Sequence, residues 1–378
     1  MDLLKYRILW LPLVLFVLIF SIDKVFQIPY IKDRTLLYKK VEPDLYSSRQ
    51  DLLGLMIQNS KKRNKKIGVI LGSSRSAEFD TLEIEKQLNG IDTYNFSVPM
   101  GGIAHAYYYA NQILNSGIQP AFFMVEADRV NFGQPSLSFA IDYDFDIPFV
   151  LKNTNFLDPD NSENGGFRPD EADTFFLKHS FALYRYPVDF ANIIQNYKPL
   201  PIQISENNNE KINRNHLEFR WANRKLQQLS NKEHLGAIPN PLNINATDEQ
   251  LQKDAELVKG RVFGDGSVSK TQLLFFKRLL ALSEKYQIPI LFYQPVVSYQ
   301  FQDIIQSTDA TFQHSVIQYE IDVQNKKNKD RQLLFYSNPE ETEPLKCRAF
   351  VDALHLSGAC YAELTEKVFK PLQPLFKQ

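Results

Sequence analysis

From residue 67 onward the chain alternates short apolar runs with amphipathic stretches. Runs at 67–71, 93–98, 121–126, 288–293 and 332–336 are the strand candidates. The first, third and fourth are almost continuously apolar, the pattern of parallel strands covered on both faces. Helical periodicity occupies 78–88, 103–116 and 270–286, and a terminal helix runs from 358 to about 369. On the 270–286 segment, Leu273, Leu274, Phe276, Leu280 and Ala281 supply the apolar side before a short Gln-Ile-Pro connection. Five strands joined by crossover helices predict an α/β domain, a three-layer α/β/α sandwich around a five-stranded, doubly wound parallel sheet.

Between the third and fourth strand candidates the alternation stops, and a largely helical insertion is expected at about 130–268. Asp158-Pro-Asp-Asn-Ser-Glu-Asn-Gly-Gly166 is a loop by composition. Residues 175–197 and 217–229 read as amphipathic helices, with breaks at 207–209 and 238–245. An insertion of this length at the carboxyl edge of a sheet suits a lid, a substrate platform or a surface for a partner.

At the N-terminus, Lys5 and Arg7 precede an uncharged apolar run, residues 8–22, that spans about 22 Å as a helix. Leu3, Leu4 and residues 25–28 extend it toward the roughly 20 residues a bilayer requires. No small-x-small cleavage site follows, so the expectation is an uncleaved transmembrane anchor over 1–28 rather than a signal peptide. Lys24, Lys32, Arg34, Lys39 and Lys40 on the far side oppose Lys5 and Arg7, and charge leaves the orientation open. Residues 29–66, with Pro29, Pro43, a helix at 48–58 and the basic run Lys61-Lys-Arg-Asn-Lys-Lys66, read as a tether to a domain spanning 67–378.

The 378 residues include 43 basic and 44 acidic side chains, and a net charge of −1 gives no pull toward nucleic acid. Cys347 and Cys360 are the only cysteines. They have no zinc-like spacing, and two unbridged thiols is the preferred reading, with pairing the alternative in an oxidising compartment. No metal or cofactor is expected.

The candidate chemistry begins where the first strand runs into Gly72-Ser-Ser-Arg-Ser76. In open α/β sheets, ligands bind at the carboxyl ends of the strands. A serine there needs a base, and the base needs an orienting partner. Of six histidines, His355 stands out within Phe350-Val-Asp-Ala-Leu-His-Leu-Ser357. Asp352, three residues earlier, is placed to bond the imidazole and fix its tautomer.

A strand-end serine followed late in the chain by Asp-x-x-His resembles the SGNH (GDSL-like) hydrolase superfamily. The resemblance implies a flavodoxin-like five-stranded sheet, with Ser74 as nucleophile and Asp352 and His355 as its partners. It covers about 67–126 and 288–370 and leaves the insertion unmatched. Met100-Gly-Gly-Ile103 fits the block that supplies an oxyanion glycine, Gly101 or Gly102; a tight turn is the alternative role. The block expected as Gly-x-Asn-Asp reads Val125-Glu-Ala-Asp128, without the asparagine donor, and Asn131 lies out of register. Arg75 is either an anion-binding group for substrate or a structural partner of Glu126 or Asp128. The anchor resembles that of bacterial members acting in teichoic-acid D-alanylation and alginate acetylation. The resemblance therefore implies a membrane-bound, extracytoplasmic esterase or O-acyltransferase, acting on acyl esters of an envelope glycan or lipid. A degenerate domain that binds a glycan or an envelope protein is the alternative.

Overall fold

In the computed structural model of the protein, the described residues are 3–35, 43–62, 65–157, 165–186, 188, 190, 193–194, 217–240, 242–263, 267–309, 311–328, 331–342 and 344–376. The chain divides into two compact units, Met1–Pro43 with Asp170–Leu226, and Asp44–Pro169 with Gln227–Gln378.

The first unit contains α1 (Leu3–Val25) and α2 (Pro29–Thr35). Large apolar side chains of α1 from Trp10 to Ile22 are exposed. Near its end Asp23 is buried, and its carboxylate accepts the N–H groups of Ala182 and Leu183 at 2.9 and 2.8 Å. Among the described residues, no helix is long and apolar enough to cross a membrane.

The second unit holds the sheet. Strands β1 (Ile67–Leu71), β2 (Asp92–Asn95), β3 (Phe122–Glu126), β4 (Ile290–Tyr293) and β5 (Leu334–Ser337) pair in parallel in the order β2-β1-β3-β4-β5. This is the doubly wound order with its switch point between β1 and β3. Every strand candidate became a strand, the first with the expected bounds and the other four shortened or shifted at their ends. Helix α3 (Pro43–Lys62) precedes β1, α4 (Thr81–Gln87) follows it, and α5 (Ile103–Asn115) follows β2.

Between β3 and β4 come α6 (Gln134–Tyr143), α7 (Ile147–Asn153), α8 (Pro169–Ser180), α9 (Ala182–Arg185), α10 (Leu217–Glu233), α11 (Asp248–Val258) and α12 (Lys270–Tyr286). The chain then adds α13 (Tyr299–Asp309), α14 (Tyr319–Lys327) and the terminal α15 (Tyr361–Phe369). On one side of the sheet, Ile70, Phe122, Met124, Leu291 and Phe335 pack with Ile84 of α4 and Leu364 and Val368 of α15. On the other, α5 and α12 provide the cover. Phe276 meets Phe292 edge-on at 5.3 Å, and Phe275 stacks on Tyr107 at 5.2 Å. The result is the expected three layers.

Three expectations need correction. The first is the tether. Apart from Pro43, α3 belongs to the sheet's own unit, with Leu52 and Met56 fully buried. Its buried polar residues are satisfied inside the fold. The Arg49 guanidinium donates to Ser97 O at 2.7 and 3.1 Å and to Gly236 O at 3.0 Å. Burial lowers its pKa to about 10, against the opposing pull of Tyr109 and Asp144. A polar stretch looks solvated in sequence, but buried polar groups are tolerated wherever each finds a partner.

Secondly, the insertion is shared between the units, since Asp170–Leu226 lies in the first and Gln227 onward in the second. Its expected helix over 175–197 is interrupted at Phe181, which is extended between α8 and α9. Residues 158–164, most of the expected loop, and the break at 207–209 lie outside the described residues.

Thirdly, Cys347 and Cys360 are bonded, with Cα atoms 5.3 Å apart. Pairing of Phe350 with Leu356, reinforced by Ser357 N–H to Ala349 O at 2.7 Å, folds the segment back on itself and brings the two cysteines together.

Candidate active site

The carboxyl end of β1 is built around close backbone approaches. A Cβ on Gly72 would lie 2.8 Å from Ser76 Oγ and 2.9 Å from Glu126 Cβ, and one on Gly101 would lie 2.1 Å from Gly72 O. Only glycine fits either position, so the two motif blocks read from the sequence meet here. Beyond Gly72 the chain enters a 3-10 turn, Ser74–Ser76, capped by the Ser73 hydroxyl, which accepts from Arg75 N–H.

The three serines of this turn have different fates. Ser73 and Ser76 are buried, and each hydroxyl donates to Glu126 at 2.5 Å. Ser74 is half-buried, and its Oγ lies 2.7 Å from His355 Nε2. The other imidazole nitrogen, Nδ1, lies 2.8 and 2.9 Å from the two oxygens of Asp352. Ser74, His355 and Asp352 are therefore brought together as one hydrogen-bonded series of hydroxyl, imidazole and carboxylate.

Asp352 also accepts the Leu354 and His355 N–H groups at 2.9 and 2.8 Å, which holds the loop in shape. Burial alone would raise its pKa. The hydrogen bonds and charge of His355, with those two N–H groups, outweigh it and hold the carboxyl below its usual range. The insertion contributes as well, for Asp254 of α11 accepts Ala353 N–H at 2.9 Å. The Cys347–Cys360 bond closes the stretch of chain that carries both Asp352 and His355.

Arg75 is not available to a substrate, which corrects one of its two sequence readings. It is 4% exposed and pairs with Glu126 at 2.7 Å and Asp128 at 2.5 Å. Its Nη2 also reaches Asn131 Oδ1 at 3.3 Å, and its backbone oxygen accepts the Tyr361 hydroxyl at 2.7 Å. Burial opposes its charge, but Asp128 and Glu126 raise its pKa above the usual value. For Glu126, Arg75 and the hydrogen bonds of Ser73, Ser76 and Asn131 overcome a burial that would push the pKa up, and they hold it low.

Asn131 does reach the site despite its register. Its Nδ2 donates to Gly101 O at 2.9 Å and Glu126 Oε1 at 3.1 Å, while its Oδ1 accepts Asp128 N–H at 3.0 Å. Two acceptors claim both amide hydrogens, so the side chain braces the site rather than offering a donor to an oxyanion. Gly101 N–H is also engaged, with Val98 O at 3.0 Å, in a turn whose third residue, Met100, has φ +60°. That conformation is unfavourable for a bulky residue. Ser74 N–H and Gly102 N–H have no hydrogen-bond partner among the described residues.

A slot of about 20 Å³ adjoins Ser74, walled by Met100, Gly101, Val130, Val262 and Leu354. Glu78, just beyond the Ser74–Ser76 turn, is half-buried, and its buried Oε2 has no hydrogen-bond partner. Burial pushes its pKa up to about 7, with Asp352 adding to the rise and His355 opposing it.

Sequence reasoning offered Glu126 as a partner of Arg75 but missed its hold on Ser73 and Ser76, and it missed the bracing by Asn131, Tyr361 and Asp254. Only the displaced asparagine left a visible signal, as an Asn three residues beyond Asp128. Among the described residues, no group of three His, Cys, Asp or Glu is placed to hold a metal ion. No curated protein matches the chain. Residues 3–372 match the family model described as a protein of unknown function, DUF1574, and the chain belongs to that family.

Proposed function

We propose that this protein is a membrane-anchored serine esterase or O-acyltransferase of the SGNH-like type, acting on acyl esters of an envelope glycan or lipid. The observation that carries this reading is the continuous hydrogen-bonded series from Ser74 Oγ through His355 to Asp352. Ser74 Oγ attacks the ester carbonyl as His355 Nε2 takes its proton. The tetrahedral intermediate collapses, and His355 returns that proton to the departing alkoxide. The acyl group is then on Ser74. Water, or a hydroxyl of an acceptor, loses its proton to His355 and attacks this second ester. Ser74 is regenerated with its proton, and an acid or a transferred ester leaves.

Ser74 N–H is the first oxyanion donor and Gly102 N–H the second. Without the side-chain amide, the transition state forgoes about 2.7–4 kcal/mol, the worth of one such donor, which fits a slow enzyme. The slot beside Ser74 suits a short acyl group. The exposed apolar side chains of α1 support attachment to a membrane, and the Cys347–Cys360 bond supports an extracytoplasmic domain.

A fluorophosphonate probe should label the purified full chain, and Ser74→Ala should abolish the labelling. Labelling that survives the substitution removes Ser74 as nucleophile. A second reading, a non-catalytic domain binding a glycan or an envelope protein, is favoured by one feature. Both the Asn131 amide and Gly101 N–H are already engaged. Absence of labelling in a folded wild-type protein would favour it.

A further inference from the structure

We propose that a groove along the carboxyl ends of β3, β4 and β5 binds a neutral saccharide chain, with Tyr299 as its stacking platform. The groove consists of two clefts, of about 270 Å³ and about 330 Å³, that share Tyr299 and Arg348 in their walls. Tyr299 opens α13 and is 61% exposed. Its ring is held by the Arg348 guanidinium 4.2 Å from its centroid, and Arg348 is in turn fixed by Glu340 at 2.8 Å. An aromatic face anchored in this way, between two adjoining clefts, matches consecutive sugar rings, whose C–H faces stack on aromatics while their hydroxyls point outward.

The chemistry of the walls selects among ligands. Gln294, Gln302 and Gln306 line one cleft and Gln300 the other. An amide offers both donors and acceptors, the pairing a sugar hydroxyl requires. A hydroxylated ligand would pair with these amides. The walls set the carboxylates Asp128, Asp248, Glu340 and Glu341 against the cations Arg129 and Arg348, so the groove has no surplus positive charge for a polyanion. The groove and the Ser74 slot also draw wall residues from one apolar cluster. Val130, Val262 and Leu354 wall the slot, Val297 and Ile305 wall the larger set of amides, and all five belong to one apolar cluster.

The use made of the bound chain, as acyl donor or acceptor, rests on the esterase or acyltransferase reading; the binding itself does not. Full-length protein in a non-glycosidic detergent is titrated with cellohexaose, mannohexaose and chitohexaose by calorimetry. At least one should bind. Tyr299→Ala should weaken that binding about tenfold or more, Tyr299→Phe should retain it, and Ser74→Ala should bind as the wild type does. Because Tyr299 is exposed, its replacement leaves the core intact, which circular dichroism verifies. Failure of all three hexaoses to bind, or undiminished binding by Tyr299→Ala, overturns the groove assignment. Loss of fluorophosphonate labelling with saccharide binding intact instead overturns only the catalytic reading.

Discussion

Glu126 accepts the Ser73 hydroxyl at 2.5 Å and the Ser73 N–H at 3.0 Å, fixing the backbone one residue before the Ser74 hydroxyl that meets His355. The same carboxylate takes the Ser76 hydroxyl, so it grips the nucleophile turn from both ends. Glu126→Gln would present amide hydrogens to groups that are themselves donors and leave Arg75 with Asp128 as its sole carboxylate. Breaking a buried ion pair costs roughly 3–5 kcal/mol. With Asp128 retained, the expected loss lies near the lower end, and urea unfolding measures it. Fluorophosphonate labelling of the still-folded variant should slow as well. A labelling rate equal to wild type would leave Glu126 a purely structural residue.

Two carboxyl groups beside His355 are perturbed in opposite directions. Asp352 is held low, so its contribution to stability is present above about pH 3.9 and disappears as pH falls through its folded value. Glu78 behaves in the reverse sense. Burial raises it to about 7, while in the unfolded chain it ionises near about 4.3. Its contribution is full below that unfolded value and is lost as pH rises through the folded one. Glu78→Gln removes this titration. The Tm of the variant relative to wild type should therefore increase between about pH 4 and pH 8. A constant difference across that range would show that Glu78 does not titrate there.

The Cys347–Cys360 bond brackets the segment carrying both Asp352 and His355. Closing a loop of this size contributes about 3 kcal/mol through the unfolded state. Replacing both cysteines by serine should lower stability by about that amount. It should also slow labelling of Ser74, because the loop then loses its covalent closure and is held by hydrogen bonds such as those of Asp254 and Asp352 and the Phe350–Leu356 pairing. If stability falls while the labelling rate stays at the wild-type value, the bond stabilises the domain without positioning the base.

The parts of this site legible in the sequence are those whose signal is local. β1 and β3 are nearly unbroken apolar runs, and Asp352 and His355 are close enough along the chain for one loop to join them. The strand-end position of Ser74 follows from the same periodicity. What escaped reading depends on partners far away in sequence. Arg49 looks like a solvated residue until Ser97 and Gly236 close over it. Arg75 reads from the sequence as either a substrate ligand or a partner of Glu126 or Asp128, and only their enclosure of it decides for the pair. Asn131 had the right chemistry in the wrong register, and only the turn after β3 shows that its amide is directed to Gly101 O. Composition reports how many polar groups a segment has, not whether the fold supplies their partners.

On the proposed acyl-transfer reading, the slot beside Ser74 sets an acyl-length limit. Its volume of about 20 Å³ is little more than the room one water needs, and its Val130, Val262 and Leu354 walls are apolar. A methyl group fits such a space, whereas a longer chain must displace packed side chains, which a dense core resists. Hydrolysis of p-nitrophenyl acetate should therefore exceed that of the butyrate and hexanoate esters in kcat/KM. Leu354→Ala should reverse the order by opening the slot, at a cost of about 2–5 kcal/mol in stability. Leu354 neighbours His355, so the milder Val262→Ala serves as a second variant, and it should raise butyrate turnover relative to acetate without disturbing the dyad. A wild-type enzyme that prefers hexanoate, or variants whose chain-length preference is unchanged, would show that the acyl group is held elsewhere.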